Sequence, residues 1–428
     1  MKVALINPAW RFEGSIYFGC RAPHLPLELG IAQQKLREAG HDTLLIDAHM
    51  FELSLGDIVD EVRSFAPDVG VITTAPTYLF WRCAPPELRV PRETAERLRD
   101  IVPFLVAVGP HGSTTPRAAL RKLGVDLVVM GECETTLLQV ANGTWAGLSG
   151  TCYREGDRIV VNGGPQAATF SDQPAITWPD EMIAWHDHHH HRFEAEPSGP
   201  GAEVEASRGC PYSCTFCAKE NFRNAYRKRD PHVVLDEIRT LQRQDVEYVY
   251  FIDEIFLPNE MLLRGLLGSG LKFGVQTRID LWKPEMLKLL GDAGCVSVEA
   301  GVESLTPEGR EALAKRCKMT TDQLADRLIE AKRHIPFVQA NLIEMPQDDD
   351  EEVQRWRKRM NDAGVWANDP VPLYPYPGSP DYTKLWGVPD DEAWERAHQH
   401  YLGLFDAFSD VQEQRPLPLR ELERGAAS

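Results

Sequence analysis

Three cysteines fall close together in this chain, Cys210, Cys214 and Cys217, within the stretch VEASRGCPYSCTFC (204–217). Thiolates are soft ligands that select zinc, copper(I) or iron–sulfur clusters. A structural zinc calls for a fourth ligand at related spacing, and no Cys or His follows Cys217 within a dozen residues. Ferredoxin-type clusters take four cysteines at other spacings. Three thiolates separated by three and then two residues instead leave one iron of a 4Fe–4S cluster open to an external ligand. Zinc and chance remain as the competing readings. The other cysteines, Cys20, Cys83, Cys133, Cys152, Cys295 and Cys317, are scattered as small buried hydrophobes are. Nine cysteines in 428 residues is an odd number and too few for a disulfide scaffold.

The elements that must hold such a loop can be read on both sides of it. AEVEA (202–206) precedes the cysteines as a strand, and EYVYFI (247–252), KFGVQ (272–276), VSVEA (296–300), FVQANLI (337–343) and PVPLY (370–374) follow. Helical stretches lie between them. One carries Val234, Ile238 and Leu241 on a single face and is entered through Asp230-Pro231. Six strand–helix units predict a partial (β/α)6 barrel over residues 201–385, with ligands gathered at the carboxyl ends of the strands. The polar residues at those ends are Asp253, Glu254, Arg278, Asp280, Glu299, Glu303, Ser304, Asn341 and Glu344. Singly, each suits a strand-end cap. Together they suit a zwitterionic, ribose-bearing ligand.

The N-terminal third alternates strand and helix in another way. VALIN (3–7), TLLID (43–47), VGVIT (69–73), FLVAV (104–108) and DLVVM (126–130) are short apolar runs bounded by Pro, Gly, Asn or Asp. Such runs fit strands buried on both faces. Leu29, Ala32 and Leu36 lie at helical spacing, with Gly40 where that helix should stop. A doubly wound, Rossmann-like α/β domain over residues 1–145 follows, with its ligand edge at the strand ends. No GxGxxG follows the first strand, which disfavours a dinucleotide site. Residues 146–200 read as a hairpin around Glu155-Gly-Asp157 and then a linker rich in Pro and Gly. Residues 386–428 read as a capping helix and a frayed tail.

The linker carries His188, His189, His190, His191 and Arg192. A solvated loop, a segment facing an acidic substrate and a loose metal site are the three readings of that tract. Lys219 to Arg229 is a basic run, read as a solvated loop or a contact to the ligand or substrate. The acids Asp348 to Glu352 open a helix, where the macrodipole favours negative charge.

Composition narrows the class. The formal charge is −18 at pH 7, which argues against general affinity for nucleic acid or anionic membrane. The opening MKVALINPAW has too short an apolar run for a secretory signal, and no stretch approaches the roughly 20 apolar residues needed to cross a bilayer. A soluble, cytoplasmic protein of two to three domains, at about 150 residues each, is the expectation.

Two motifs resemble one family. The stretch VAVGPHGSTTPRAALRKLGVDLVVMGECETTLLQV resembles the second half of the cobalamin-binding domain that precedes many radical S-adenosylmethionine (SAM) enzymes. Val108 and Cys133 replace glycines of that pattern. The cysteine triplet, with Phe216 before its last member, is similar to the radical SAM signature.

The resemblance implies that Gly109, His111, Gly112, Ser113, Gly131 and Glu132 hold the nucleotide tail of cobalamin, and that Asn7, Pro8 and Trp10 line the corrin. Thr77 and Tyr78 join the implied cobalamin contacts, and an aromatic of that loop, Tyr78 or Trp81, would cover the cobalt face, with packing as the competing reading of these aromatics. Asp47-Ala-His49 has half of the Asp-x-His-x-x-Gly motif that supplies a histidine to cobalt, but it follows the second strand and Glu52 stands at the glycine position. It is read as an ordinary strand end. In the barrel, the resemblance implies cluster binding by Cys210, Cys214 and Cys217. Phe216 would join the SAM site, Asp253 and Glu254 would meet the SAM amino group, Arg278 its carboxylate, and Glu303 and Ser304 its ribose. LYPYPGSPDY (373–382) is similar to the family's closing strand, while NLIEMPQ departs from its fifth-strand turn.

The implied cofactors are a 4Fe–4S cluster, SAM and cobalamin. The implied activity is methyl transfer to an unactivated carbon of a small metabolite, with electrons from a flavodoxin or ferredoxin. That chemistry needs no acid–base side chain, so none is assigned. A cyclisation, rearrangement or dehydrogenation on the same cofactors is one alternative, and a non-catalytic cobalamin sensor is the other.

Overall fold

The computed structural model describes residues 1–16, 22–76, 84–171, 173–186, 200–219, 223–404 and 415–424. The candidate residues Thr77, Tyr78 and Trp81, and the tract His188, His189, His190, His191 and Arg192, lie outside the described residues. The chain forms two compact units. One holds Met1–Thr169, Ala218–Asn224 and Tyr374–Ser428, and the other holds Phe170–Cys217 and Ala225–Leu373. No helix among the described residues is long and apolar enough to cross a membrane.

The first unit is built on a seven-stranded sheet. Strands β1 (Lys2–Asn7), β2 (Asp42–Asp47), β3 (Val69–Thr73), β4 (Phe104–Val108) and β5 (Leu127–Val129) are parallel in the order β2-β1-β3-β4-β5. Their residues alternate between two apolar layers, as the two-residue strand period requires. Val3, Leu5, Val69 and Val71 join the layer that contains Leu29, Ala32 and Leu36 of α1 (Leu27–Glu38). Ala4, Ile6 and Ile72 join the opposite layer, with Ile58 and Val62 of α2 (Leu55–Phe65). The hairpin that the sequence grouped with the linker continues this sheet. Strands β6 (Thr151–Glu155) and β7 (Arg158–Asn162) pair antiparallel, and β6 pairs antiparallel with β5. A tight turn through Gly156 (φ 58°) returns the chain directly, whereas a parallel strand would need a long crossover.

The C-terminal end differs from its reading as frayed. The helix Leu419–Arg424 is docked, with Leu419 and Leu422 buried, and the Leu417 N–H donates to the Gly14 carbonyl at 2.8 Å. Leu419 and Trp394 of the helix Ala393–Gly403 complete the layer shared with α1. Lys122 joins Glu395 and Glu423 from these two helices.

The second unit is a six-stranded, all-parallel sheet with α-helices between successive strands of its main run. Strands β8 (Gly201–Val204), β11 (Tyr248–Phe251), β12 (Lys272–Thr277), β13 (Cys295–Glu303), β14 (Phe337–Leu342) and β15 (Trp366–Ala367) lie side by side in chain order. Sequential parallel order is the topology of the expected partial barrel. Two further two-residue strands, β9 (Ser207–Arg208) and β10 (Arg227–Lys228), pair with each other outside it. One face of the large sheet is apolar, through Ala202, Val204, Val249, Phe251, Val275, Val298, Ala300 and Val338. The other carries Glu203, Tyr250, Gln276, Ser297, Glu299 and Gln339.

The last strand is not the expected 370–374. Pro370 and Pro372 have no N–H to give to a ladder, so only Val371 bridges, to Ile343, and the paired strand is Trp366–Ala367. The expected closing strand at 373–382 is also absent. Ser379 accepts from the Tyr382 N–H at 3.1 Å and starts a helix over Pro380–Trp386.

A chain ending at residue 414 loses Leu419 and Leu422, whose full burial is worth about 1.5–3 kcal/mol each. Its urea midpoint, followed by fluorescence, is expected to fall below that of the full chain. An unchanged midpoint would show that the docked segment does not stabilise this unit.

Candidate active site

The cysteine loop is fixed at its base before any ligand is considered. It leaves β8 through Glu205 and Ala206, and its two ends are tied by the β9–β10 ladder, with Arg208 opposite Arg227 and Ser207 opposite Lys228. Arg208 is fully buried, pairs with Glu205 at 2.7 Å and lies over the Phe170 ring at 4.6 Å. Arg229 donates to the Glu205 carbonyl at 2.9 Å and pairs with Glu237 at 2.7 Å, again buried. The solvated-loop reading of the basic run therefore fails for Arg229. It fails also for Arg223, which is buried against Glu28 at 3.0 Å in the first unit.

Asp253 and Glu254, just past β11, grip the same loop. Asp253 Oδ1 accepts from the Ala206 N–H at 2.8 Å, its Oδ2 accepts from the Ser207 hydroxyl, and Glu254 accepts from the Gly209 N–H at 2.6 Å. Burial pushes the Asp253 carboxyl up to about 7, against the opposing effect of the Ser207 and Ala206 hydrogen bonds. Gly209 adopts φ 79° immediately before Cys210. A Cβ is disfavoured there, and the glycine lets the chain turn from ladder to loop.

Cys210, Cys214, Phe216 and Cys217 are all part-buried. The Cys217 N–H donates to the Cys214 carbonyl at 3.2 Å, and the Thr215 N–H to the Leu313 carbonyl at 3.1 Å. Among the described residues, no three His, Cys, Asp or Glu side chains converge as ligands of one metal ion would. Thiolates that each bind a different iron of a cluster have no need to converge on one atom. The donor set, three half-accessible soft ligands on one pinned loop, fits such a cluster.

Arg278 follows β12 and is buried. Its Nε and Nη2 donate to the Asp280 carboxylate at 3.1 and 2.8 Å, and its guanidinium lies 4.1 Å from the centroid of the Tyr212 ring. Its Nη1 is buried and makes no hydrogen bond. Glu303 stands at an irregular end of β13, in the left-handed region at φ 69°, and pairs with buried Lys315 at 2.8 Å. A Cβ at Gly301 would come within 2.2 Å of the Glu303 carboxylate, so a larger residue there would displace that side chain from its present position. The Ser304 hydroxyl donates to Asp348 at 2.7 Å, and Asp348 also accepts from the Leu305 and Thr306 N–H groups. The acidic run thus serves as strand-end and helix cap, with Asp349 accepting from the Glu352 N–H. Sequence reading singled out neither Tyr212 nor Lys315. The aromatic between two cysteines was the available signal for Tyr212, whereas Lys315 gave none.

In the first unit the strand ends form a second polar region. Trp10 Nε1 donates to Asn7 Oδ1 at 2.7 Å, and Asn7 Nδ2 donates to Asp47 Oδ1 at 2.9 Å. Burial raises the Asp47 carboxyl to about 7. Pro8 lies between these partners in the chain, and His49 meets Phe12 edge-on with ring centroids 5.6 Å apart.

Ser113 joins two strand ends. Its hydroxyl donates to the Gly109 carbonyl at 2.9 Å and accepts from the Gly131 N–H at 2.8 Å. Glu132 accepts from the Ala168 N–H at 3.0 Å. A Cβ at Gly109, Gly112 or Gly131 would meet Thr74, Val128 or Gln166 at 2.5 Å or less, so the protein's own packing already demands these glycines. His111 is buried and stacked on Trp394, with ring centroids 4.3 Å apart. Burial pushes its imidazole down to about 3, so it stays neutral. Asp47 Oδ2 and Thr74 Oγ1 are buried without a hydrogen bond at the ends of β2 and β3. Unsatisfied polar atoms along one sheet edge fit a large ligand with a polar rim.

Comparison with known proteins identifies both modules. Residues 21–141 match the B12 binding domain family, and residues 204–360 match the Radical SAM superfamily. The chain is 25% identical over 401 residues to an uncharacterized methyltransferase of Pyrococcus horikoshii, covering 90% of this chain and 82% of that one. It is 28% identical over 354 residues to the anaerobic magnesium-protoporphyrin IX monomethyl ester cyclase of Cereibacter sphaeroides, covering 77% and 55%. It is 26% identical over 433 residues to the hopanoid C-3 methylase of Methylococcus capsulatus, covering 98% and 78%. Among solved structures, the radical SAM methyltransferase TsrM from Kitasatospora setae, with cobalamin and a 4Fe–4S cluster bound, superposes with a TM-score of 0.70 at 18% identity, covering 98% of this chain and 82% of that one. The cobalamin-dependent radical SAM enzyme OxsB gives 0.68 at 17% identity, covering 94% and 66%. At these identities the structural likeness is one of fold.

Asp253 keeps its proton in the folded state up to about pH 7, whereas an unfolded aspartate releases it near about 3.9. The folded state therefore binds the extra proton between those values. Its stabilising contribution is full below about 3.9, declines as pH rises and is lost above about 7, a change of up to about 4 kcal/mol. Asp253→Asn is expected to flatten the fall in Tm between pH 5 and 8. Parallel wild-type and variant profiles would contradict this assignment.

Proposed function

We propose that this chain, which belongs to the radical SAM enzymes that carry a B12-binding domain, is a cobalamin-dependent methyltransferase acting on an unactivated carbon of a small molecule. The observation that carries the proposal is the union of the two modules with an intact Cys210, Cys214, Cys217 triplet on a loop pinned beside β8. Methyltransferase relatives aligned over most of both chains support the reaction type.

When bound, the cluster and SAM supply a substrate radical, and cobalamin supplies the methyl group. The chain's own residues do the rest. Cys210, Cys214 and Cys217 hold the cluster and leave one iron for SAM. Phe216 lies among them on the same loop. Arg278 offers its unpartnered Nη1 to the SAM carboxylate, a group that suits a guanidinium. Asp253 and Glu254 hold the loop backbone and place their carboxyl groups by the SAM ammonium, and Glu303 and Ser304 stand at the β13 end toward the ribose. In the first unit Asn7, Pro8 and Trp10 line the corrin. Gly109, Gly112, Ser113, Gly131 and Glu132 shape the strand-end turns for the nucleotide tail, where His111 adds no charge. A flavodoxin or ferredoxin supplies electrons. The chain works in the cytoplasm.

The relative named as a cyclase favours a second reading, a radical ring-forming or oxidative reaction without methyl transfer. Anaerobic reconstitution with iron, sulfide and cobalamin, followed by turnover with methyl-labelled SAM, separates the two. The expected result is a 4Fe–4S spectrum, reductive formation of 5′-deoxyadenosine and label in a product carbon. Replacing the three cysteines with Ala is expected to abolish the cluster signal and to lower deoxyadenosine formation at least about 1000-fold, in line with loss of essential catalytic groups. Product without label would favour the second reading. A triple variant with wild-type turnover would refute both.

A further inference from the structure

Arg278 also makes a contact with an aromatic ring on the cysteine loop. Two parts of its guanidinium are engaged by neighbouring side chains. One edge is taken by Asp280, through Nε at 3.1 Å and Nη2 at 2.8 Å. One flat face is taken by the Tyr212 ring, 4.1 Å from guanidinium carbon to ring centroid. Beside these contacts, Nη1 is buried and has no hydrogen-bond partner. Tyr212 lies between Cys210 and Cys214, whereas Arg278 and Asp280 lie beyond the end of β12. A planar cation held on one edge and one face has no freedom left to turn, so the direction of its remaining donor is set by the two contacts together.

We infer that Tyr212 is a positioning residue for anion recognition: its ring clamps the face of Arg278 so that Nη1 is presented to the carboxylate of an amino-acid ligand at the cysteine loop. The inference rests on the SAM reading of this site and adds a mechanism to it. Order in the cysteine loop and affinity for the carboxylate become linked, because the same loop that carries the three cluster ligands also carries the aromatic clamp. The clamp requires a π face and not a hydroxyl. Leu at 212 would keep apolar bulk but lose the cation–π attraction, and Phe would keep both.

The test uses the full chain, reconstituted anaerobically, as wild type, Tyr212→Phe and Tyr212→Leu. A non-cleavable SAM analogue that keeps the amino-acid carboxylate is titrated into the dithionite-reduced protein, and the change in the cluster's electron paramagnetic resonance spectrum gives the dissociation constant. Iron content is measured alongside. A cation–π contact corresponds to a change of roughly 2- to 30-fold in affinity. Tyr212→Leu is therefore expected to weaken binding by that factor with iron content unchanged, and Tyr212→Phe to bind as wild type does. In an Arg278→Gln background, which removes the cation, the Leu substitution is expected to have no further effect. Three results would overturn the inference: unchanged affinity in Tyr212→Leu, weakening by Tyr212→Phe equal to that by Leu, or loss of iron in both variants. Failure of the wild-type protein to assemble a cluster at all would instead overturn the underlying SAM reading, and the inference with it.

Discussion

The candidate chemistry depends on backbone amides held by carboxylates. The segment from Ala206 to Gly209 is too short to form a helix and has only a two-residue ladder with the far end of its own loop. Asp253 and Glu254 supply the missing acceptors, taking the N–H groups of Ala206 and Gly209 and the hydroxyl of Ser207. Buried donors without acceptors cost on the order of 1–3 kcal/mol each. The two acids therefore decide whether the loop starts in one place or many. Around them, Glu205–Arg208 and Arg229–Glu237 form buried pairs that would leave an uncompensated charge if either partner were removed.

The first unit solves a related problem with different means. Its strand ends carry Asn7, Asp47, Thr74, His111 and Ser113, all buried. Some of these groups satisfy one another, as in the chain from Trp10 through Asn7 to Asp47. Asp47 Oδ2 and Thr74 Oγ1 make no hydrogen bond along the sheet edge. The helices near the C-terminus then complete the apolar layer over α1 and place Trp394 against His111. A segment distant in sequence thereby keeps an imidazole dry and uncharged beside the turns that follow β4 and β5.

Both units place polar side chains at their strand ends, and they differ in what those ends are used for. In the second unit, polar groups at the ends of β11, β12 and β13 brace the protein before they meet a ligand. Arg278 is held by Asp280, Glu303 by Lys315 and Ser304 by Asp348. Bracing of this kind is what precise ligand placement requires, because a side chain free to rotate loses entropy on binding.

Local sequence determined a good deal. Five parallel strands of the first unit and the parallel sheet of the second follow from short apolar runs set between helical repeats. The cysteine spacing alone pointed to an iron with an open position. These are properties of nearest neighbours and of periods of two or 3.6 residues, so they survive without knowledge of the fold. Tertiary structure decided the rest. Pro370 and Pro372 moved the final strand to Trp366–Ala367, because ladder donors are judged against a neighbouring strand. Antiparallel β6 and β7 joined the first sheet, and Leu419–Arg424 docked where an unstructured end was expected. Arg223 and Arg229 became buried because Glu28 and Glu237 met them. Tyr212 met Arg278 across 66 positions of sequence. A charge or an aromatic ring has no fixed partner until the chain has folded, which is why pairings over such separations cannot be read from the order of residues.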